Sequence, residues 1–442
     1  MTRVAAGYTP AMRRLPFLML MLLTLTACQR PPMALPTIFK AGAVAPLTDT
    51  PSDWRSNEHT IFFATDRQFD ADKGDTGTYN HKRSGTLELG QLKVDIGDEG
   101  AWEALDAATQ AKPDGKCPRP KITGIQRDGA MQWGPAGRPN QGNEPPSEKR
   151  FIQQLEAALQ QSRGKAITIY IHGFKNSFKE AALTTAELSL YSGGLGPFIL
   201  YSWPSYDSLF EYSHDRDSVR FTTAHARRFV ELLANEIASG HLSATQINFI
   251  AHSSGAEVIG SVLRELGLMS HTWTPEQRQH RWKIGDVLLV APDISSDVAR
   301  ERILKEDLRG MYDQIVVYSS ERDTALRWAS RVLYRATRIG SVRETTLSEA
   351  DRRWLGQAKH VSLINVDNQP NGDPVSHSHH RFSGATVSDI LLSLRSDLPP
   401  NERGLVREDD ELIWRFANDY TQRATKAAVH VYGAANPSPE AP

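Results

Sequence analysis

Residues 247–255 read Ile247-Asn248-Phe249-Ile250-Ala251-His252-Ser253-Ser254-Gly255, and Val258, Ile259 and Leu263 follow at helical spacing. The mostly apolar run predicts a buried strand, and the spacing after Gly255 predicts a helix. Between them lies a tight turn with Ser253 at its centre. A serine exposed on so sharp a turn needs small neighbours, because bulk on either side strikes the sheet or the helix. Ala251 and Gly255 meet that need, with Ala251 where the usual pattern has glycine. A serine in an ordinary strand-to-helix loop has no such requirement. Ser253 is therefore the candidate nucleophile.

The segments on either side repeat the strand-then-helix pattern. Apolar strand-like runs occur at 167–171, 198–201, 247–251, 287–291, 315–318 and 361–366. Helical candidates lie near 178–191, 217–238, 255–267, 296–308, 324–336 and 385–396. Strands alternating with helices predict βαβ units, and so a mostly parallel central sheet flanked by helices. Two earlier β-rich runs, 61–65 and 87–94, precede this region. Residues 95–147 turn rich in Gly, Pro, Asn and charge, and read mostly as an irregular insertion that contains Cys117. Beyond residue 396, Leu412, Ile413, Trp414, Phe416 and Tyr420 read as one apolar face of a helix packed on the main domain. Residues 436–442 read as disordered.

A serine hydroxyl is a weak nucleophile, so a base and an orienting acid are expected. Where a serine sits on such a turn, the acid and then the histidine follow in chain order. Asp323 follows the run at 315–318, and His377 follows the run at 361–366. Both lie beyond strand ends, where open α/β sheets gather ligands. Asp293, after the run at 287–291, is the alternative acid, and Glu321 a third choice. His379 and His380 compete with His377 for the base, and a cluster of solvated loop histidines is the bland alternative. No carboxylate or thiolate company at fixed spacing marks a metal site. The oxyanion needs backbone donors. The N–H groups of Ser254 and of Phe174, in Ile171-His172-Gly173-Phe174, are the candidates. Trp203-Pro204 follows another strand, where a large aromatic either lines the cleft or packs in the core.

Several ordered segments together resemble a bacterial α/β-hydrolase family long known as a domain of unknown function. They are Phe62-Phe63-Ala64-Thr65-Asp66-Arg67, Ile171-His172-Gly173-Phe174 with Asn176-Ser177-Phe178, and Ser202-Trp203-Pro204-Ser205 with Tyr212, Asp215 and Arg216. The rest are Ala251-His252-Ser253-Ser254-Gly255, Ala291-Pro292-Asp293-Ile294, Asp323-Thr324-Ala325-Leu326 and Ser376-His377-Ser378. The resemblance covers roughly residues 58–395 and implies the α/β-hydrolase fold. It departs from the family pattern at Ser254, commonly Met, and at His379, often aromatic. Both changes bear on the pocket lining and leave Ser253 and His377 in place.

The N-terminus reads as an address. Arg13 and Arg14 precede an apolar run at 15–25, too short for a comfortable membrane span and suited to a secretory signal. Leu25-Thr26-Ala27-Cys28 resembles a bacterial lipobox, which implies a signal peptide over 1–27 and lipidation of Cys28. Residues 28–57 read as a Pro- and Ala-rich tether, 58–396 as the hydrolase domain and 397–442 as a C-terminal extension. Gln29, rather than Asp, implies by resemblance to Gram-negative lipoproteins an outer-membrane anchor facing the periplasm. The chain has 442 residues, a formal net charge of -1 and 23% charged residues, a balance that excludes a broad basic surface for nucleic acid.

The sequence thus predicts a serine hydrolase of the esterase or lipase type at the cell envelope, with a small-molecule or lipid ester as substrate and no cofactor. The alternative is a non-catalytic envelope lipoprotein that uses the same scaffold for binding or assembly.

Overall fold

The computed structural model describes residues 33–40, 44, 58–71, 78–97, 120–131 and 146–432, the last with gaps at 207–210, 305, 307, 329, 331–336, 344, 346, 359, 371 and 408–410. A short helix α1 (Thr37–Lys40) precedes three strands, β1 (Glu58–Asp70), β2 (Thr78–Asp95) and β3 (Lys121–Ala130). Then come α2 (Pro146–Gln161), β4 (Ala166–Ile171), α3 (Phe178–Tyr191), β5 (Phe198–Ser202), α4 (Tyr212–Ala238), β6 (Gln246–His252) and α5 (Gly255–Met269). The chain continues through α6 (Pro275–Trp282), β7 (Ile284–Val290), α7 (Ser296–Ala299), β8 (Gln314–Ser319), α8 (Thr324–Trp328), α9 (Glu349–Gln357) and β9 (Val361–Asn365). It closes with α10 (His379–Phe382), α11 (Gly384–Arg395), β10 (Leu405–Val406), β11 (Ile413–Phe416) and α12 (Tyr420–Tyr432).

The described strands form one sheet in the order β10-β11-β9-β8-β7-β6-β4-β5-β1-β2-β3. Its centre, from β11 to β1, is parallel, and the antiparallel pairs lie at the two ends. Every residue of β4, β5 and β7 is buried, as a strand covered on both faces requires. Side chains of alternate strand residues then feed two cores. Tyr170, Leu200, Ile250, Leu288 and Val316 pack with α1, α3, α11 and α12. Ile169, Ile199, Phe249, Leu289 and Val317 pack with α2, α4 and α5. The sheet with its two helical layers is the α/β-hydrolase architecture expected from the sequence.

Within residues 95–147, read as mostly irregular, β3 pairs antiparallel with β2 from Glu88↔Ala130 to Asp95↔Lys121. Three expectations need correction. Residues 28–57 are not all a tether, because Met33, Ile38, Phe39 and Val44 are buried in the core under α11 and α12. The C-terminal apolar stretch is a strand followed by a helix: β11 joins β9 in parallel, and Tyr420 starts α12. The helix expected at 296–308 shortens to α7, continued by a π-helical turn at Arg300–Leu304; of the one expected at 324–336, α8 is described and residues 329 and 331–336 lie outside the described residues. The signal segment, Cys28, Cys117 and residues 436–442 lie outside the described residues. Among the described residues no helix is long and apolar enough to cross a membrane.

Candidate active site

Ser253 sits where β6 meets α5, at φ 52. A non-glycine residue there is strained by about 1–3 kcal/mol, a cost that recurs where a side chain must be aimed. The neighbouring backbone holds the strain in place. The Ser253 N–H donates to Val290 O at 2.9 Å, and Ser253 O accepts from Ala256 and Asp293 N–H at 3.0 and 3.2 Å. The need for small neighbours is visible in space. A Cβ on Gly255 would lie 2.6 Å from Ile171 O and 2.7 Å from His172 O. A Cβ on Gly173 would lie 2.8 Å from Ser253 Cβ and 2.7 Å from His252 Nδ1. Glycine at 173 is therefore what lets the loop after β4 approach the nucleophile.

His377 reaches across from the loop after β9. Its Nε2 is 3.0 Å from Ser253 Oγ, and its Nδ1 is 2.7 Å from Asp323 Oδ2. Asp323 is fully buried, and its other oxygen accepts the Leu326 N–H at 2.8 Å, which fixes the carboxylate at the start of α8. Burial lowers the pKa of His377, but Asp323, with Asp293 and Asp373, outweighs it, so the imidazole titrates above its ordinary value of 6.5. The structure thus brings Ser253, His377 and Asp323 into one hydrogen-bonded line.

The competitors are occupied elsewhere. Asp293 pairs with Arg338 at 3.2 Å, both side chains nearly buried. Glu321 pairs with Arg343 at 3.2 Å. His379 and His380 are not solvated: both are buried, and His380 Nε2 lies 3.1 Å from the Tyr170 hydroxyl. Asp373 was not anticipated from the sequence. Its Oδ2 accepts the N–H groups of both His377 and Ser378 at 2.7 Å, and its Oδ1 accepts that of Val375 at 3.0 Å. It thereby shapes the loop that presents His377, with Ser376 at φ 53. The one available signal was the Asp373-Pro374 pair, a turn former.

The two candidate oxyanion donors belong to the turn after β6 and the loop after β4. Ser254 caps α5, and its N–H meets no acceptor among the described residues. Phe174 belongs to the loop at 172–177, which is tied down by residues from three other segments. Arg67, fully buried, donates to Ser202 Oγ at 2.9 Å, Ser205 O at 3.0 Å, Asn176 O at 2.7 Å and His172 Nε2 at 3.3 Å. Burial first, then Arg67, pushes the His172 pKa down to about 3, so the ring is neutral and its Nδ1–H donates to Gly173 O at 2.8 Å. Trp203 stacks on His172 at 5.2 Å and donates to its carbonyl at 2.7 Å. It is wholly buried, so of its two sequence readings core packing holds. Ser205 Oγ accepts from the Lys175 N–H at 2.9 Å and donates to Asp215 at 2.7 Å. The segments around residues 67, 203 and 215 therefore meet at the loop that carries Phe174.

A largely apolar cavity of about 390 Å³ lies elsewhere, against α5 and β7–β9, with Ile259, Leu263, Leu289, Val317 and Leu363 in its walls. Neither Ser253, Asp323 nor His377 lines it.

A mostly parallel sheet with helices on both faces, and a serine on the turn after a central strand, define an α/β hydrolase. The alpha/beta hydrolase family of unknown function (DUF900) matches residues 147–395, more than half of the chain, and the protein belongs to that family. Among solved structures, an esterase 2 of Thermogutta terrifontis phosphoramylated by tabun is similar at 13% identity and a TM-score of 0.29, over 54% of this chain and 86% of that one. No curated protein matches in sequence. Among the described residues, no group of three or more His, Cys, Asp or Glu is arranged to hold a metal ion.

Proposed function

We propose that this hydrolase is a serine esterase that works through an acyl-enzyme. The observation that carries the reading is the line Ser253 Oγ–His377 Nε2–His377 Nδ1–Asp323 Oδ2, at 3.0 and 2.7 Å. Ser253 Oγ attacks the ester carbonyl while His377 Nε2 takes its proton. Asp323 accepts the Nδ1–H and stabilises the imidazolium as it forms. The N–H groups of Ser254 and Phe174 receive the oxyanion. Collapse breaks the ester C–O bond, and the leaving alcohol takes the proton from His377. Water, deprotonated by the same histidine, then attacks the acyl-serine, releases the acid and restores Ser253. The lipobox at 25–28 supports a lipid anchor on Cys28, and with it a place at the outer membrane facing the periplasm. Small-molecule or lipid esters met at that surface are the substrates proposed.

The test is a fluorophosphonate probe and a chain-length series of p-nitrophenyl esters on the purified full-length protein, with wild type beside Ser253→Ala, His377→Ala, Asp323→Ala and Asp293→Ala. Labelling and turnover should vanish with Ser253 and fall by about 10³–10⁴ with His377 and Asp323. Undiminished turnover in Ser253→Ala sinks the proposal.

A further inference from the structure

The residue before the nucleophile is itself a histidine, and no role described above uses it. His252 is buried at the end of β6. Its Nε2 lies 3.2 Å from the backbone oxygen of His377. Its ring centroid is 4.9 Å from that of His377 and 4.4 Å from that of His380. His380 in turn meets the hydroxyl of Tyr170 on β4 at 3.1 Å. Tyr170, His380 and His252 therefore form a rank that runs beneath the His377 loop and ends on its carbonyl.

The chemistry fixes the roles. A carbonyl only accepts, so His252 Nε2 carries the proton. Burial, reinforced by His380, His377 and His379, holds the His252 pKa well below the ordinary histidine range, so the ring stays neutral. Those three histidines are the titratable groups facing it, with Asp323 and Asp373 one step further out on His377. A cationic donor at this position would oppose the imidazolium that forms on His377 when Ser253 gives up its proton. A neutral imidazole secures the carbonyl without that repulsion. Asp373 already holds the His377 N–H. With His252 on the C=O, both backbone groups of His377 are fixed, and the ring is left as the moving part.

We infer that His252 is a positioning residue: its Nε2–H fixes the His377 carbonyl and so the alignment of His377 Nε2 with Ser253 Oγ. This rests on the reading of Ser253 and His377 as nucleophile and base.

The experiment measures kcat and KM for p-nitrophenyl butyrate from pH 5 to 9, and the rate of fluorophosphonate labelling, on the full-length protein. The variants are His252→Phe, His252→Gln, His252→Asn and Ser253→Ala. His252→Phe keeps a ring between His377 and His380 but loses the donor. Its kcat should fall about 10- to 100-fold, with KM within about threefold. His252→Gln carries an amide close to the Nε2 position and should recover to within about threefold of wild type, whereas the shorter Asn should behave as Phe does. The midpoint of the acid limb should be the same in wild type and Gln, because the donor is neutral in both. Wild-type kcat in the Phe or Asn variant, or a loss in Gln as deep as in Phe, overturns the inference. Should Phe fail to fold by circular dichroism, the Gln and Asn pair decides alone. Turnover that survives in Ser253→Ala overturns the underlying serine reading instead, and is thereby told apart.

Discussion

At the scale of single residues, the pair His377–Asp323 makes a signed prediction. If His377 is the base of the proposed esterase, it works only when neutral, and Asp323 holds its pKa above 6.5. The acid limb of kcat/KM should therefore have its midpoint above pH 6.5, with activity rising as pH passes through it. Asp323→Asn removes the carboxylate that favours the imidazolium. The limb should then move to lower pH while the plateau falls by about 10³–10⁴. Asp293→Asn removes a more distant charge, so its limb should shift less and its plateau stay within about tenfold of wild type. A pH–rate series on the three proteins checks this, and equal plateaus for Asp323→Asn and wild type contradict it. The residues in this line were legible because a serine between small residues, an acid and a histidine followed strand ends in a set order. Arg67 and Asp373 were not legible as site residues, because each acts mainly on backbone atoms brought close only by folding. The bland alternative of solvated histidines fails for a related reason: both His379 and His380 are buried, His380 against Tyr170 of β4 and His252 of β6, which no local pattern records.

At the scale of elements, legibility tracks burial. Strands β4 to β9 lie inside a sheet covered on both faces, so their sequences are nearly unbroken apolar runs. β3 has the sequence KITGIQRDGA and is mostly exposed or half-buried, with two glycines, so it reads as loop. β11 has only four residues, buried at its two ends, too short to show a period. β11 enters the sheet beside β9 and α12 packs in the core, while an ion pair with no sequence signature ties the residue Arg403, just before β10, to α11. Arg403 donates Nε to Asp389 Oδ1 at 2.9 Å and Nη2 to Oδ2 at 3.2 Å, and the Tyr318 hydroxyl donates to the same carboxylate at 2.8 Å. Arg403 and Asp389 are both fully buried. A cation removed here leaves a buried carboxylate uncompensated, so Arg403→Leu should cost about 3–5 kcal/mol in urea unfolding. Removing both charges, in Asp389→Leu with Arg403→Leu, should recover most of that loss, because the pair's own desolvation is then avoided. A double variant no more stable than the single one would mean that the pair contributes through geometry rather than charge.

At the scale of the whole molecule, the described N-terminal residues from Met33 onward belong to the folded body. Met33 N–H donates to Glu187 at 3.0 Å, the Tyr191 hydroxyl donates to Met33 O at 3.2 Å, and Ile38 N–H donates to Ser388 Oγ at 3.2 Å. Phe39 meets Tyr191 and Tyr432 edge to face at 6.5 and 5.9 Å. The segment thus joins α3, α11 and α12, and through Ala34 N–H to Arg381 O at 2.6 Å it also reaches α10, which carries His379 and His380. Residues 28–57 read as a Pro- and Ala-rich tether, yet Met33, Leu35, Ile38, Phe39 and Val44 among them are buried. A lipid on Cys28, the anchor proposed above, would be separated from Met33 by four residues, at most about 18 Å of extended chain. The stability consequence is separable from the anchor. Phe39→Ala should cost about 3–5 kcal/mol, as truncation of a fully buried aromatic does. A chain starting at Ala41 should lose more, and one starting at Pro32 should unfold at the denaturant midpoint of the full-length protein. A free tether predicts the full-length midpoint for both truncated chains and for Phe39→Ala. Because Ala34 holds Arg381 O on α10, which carries His379 and His380, the chain starting at Ala41 should also label more slowly with fluorophosphonate at temperatures where it is still folded.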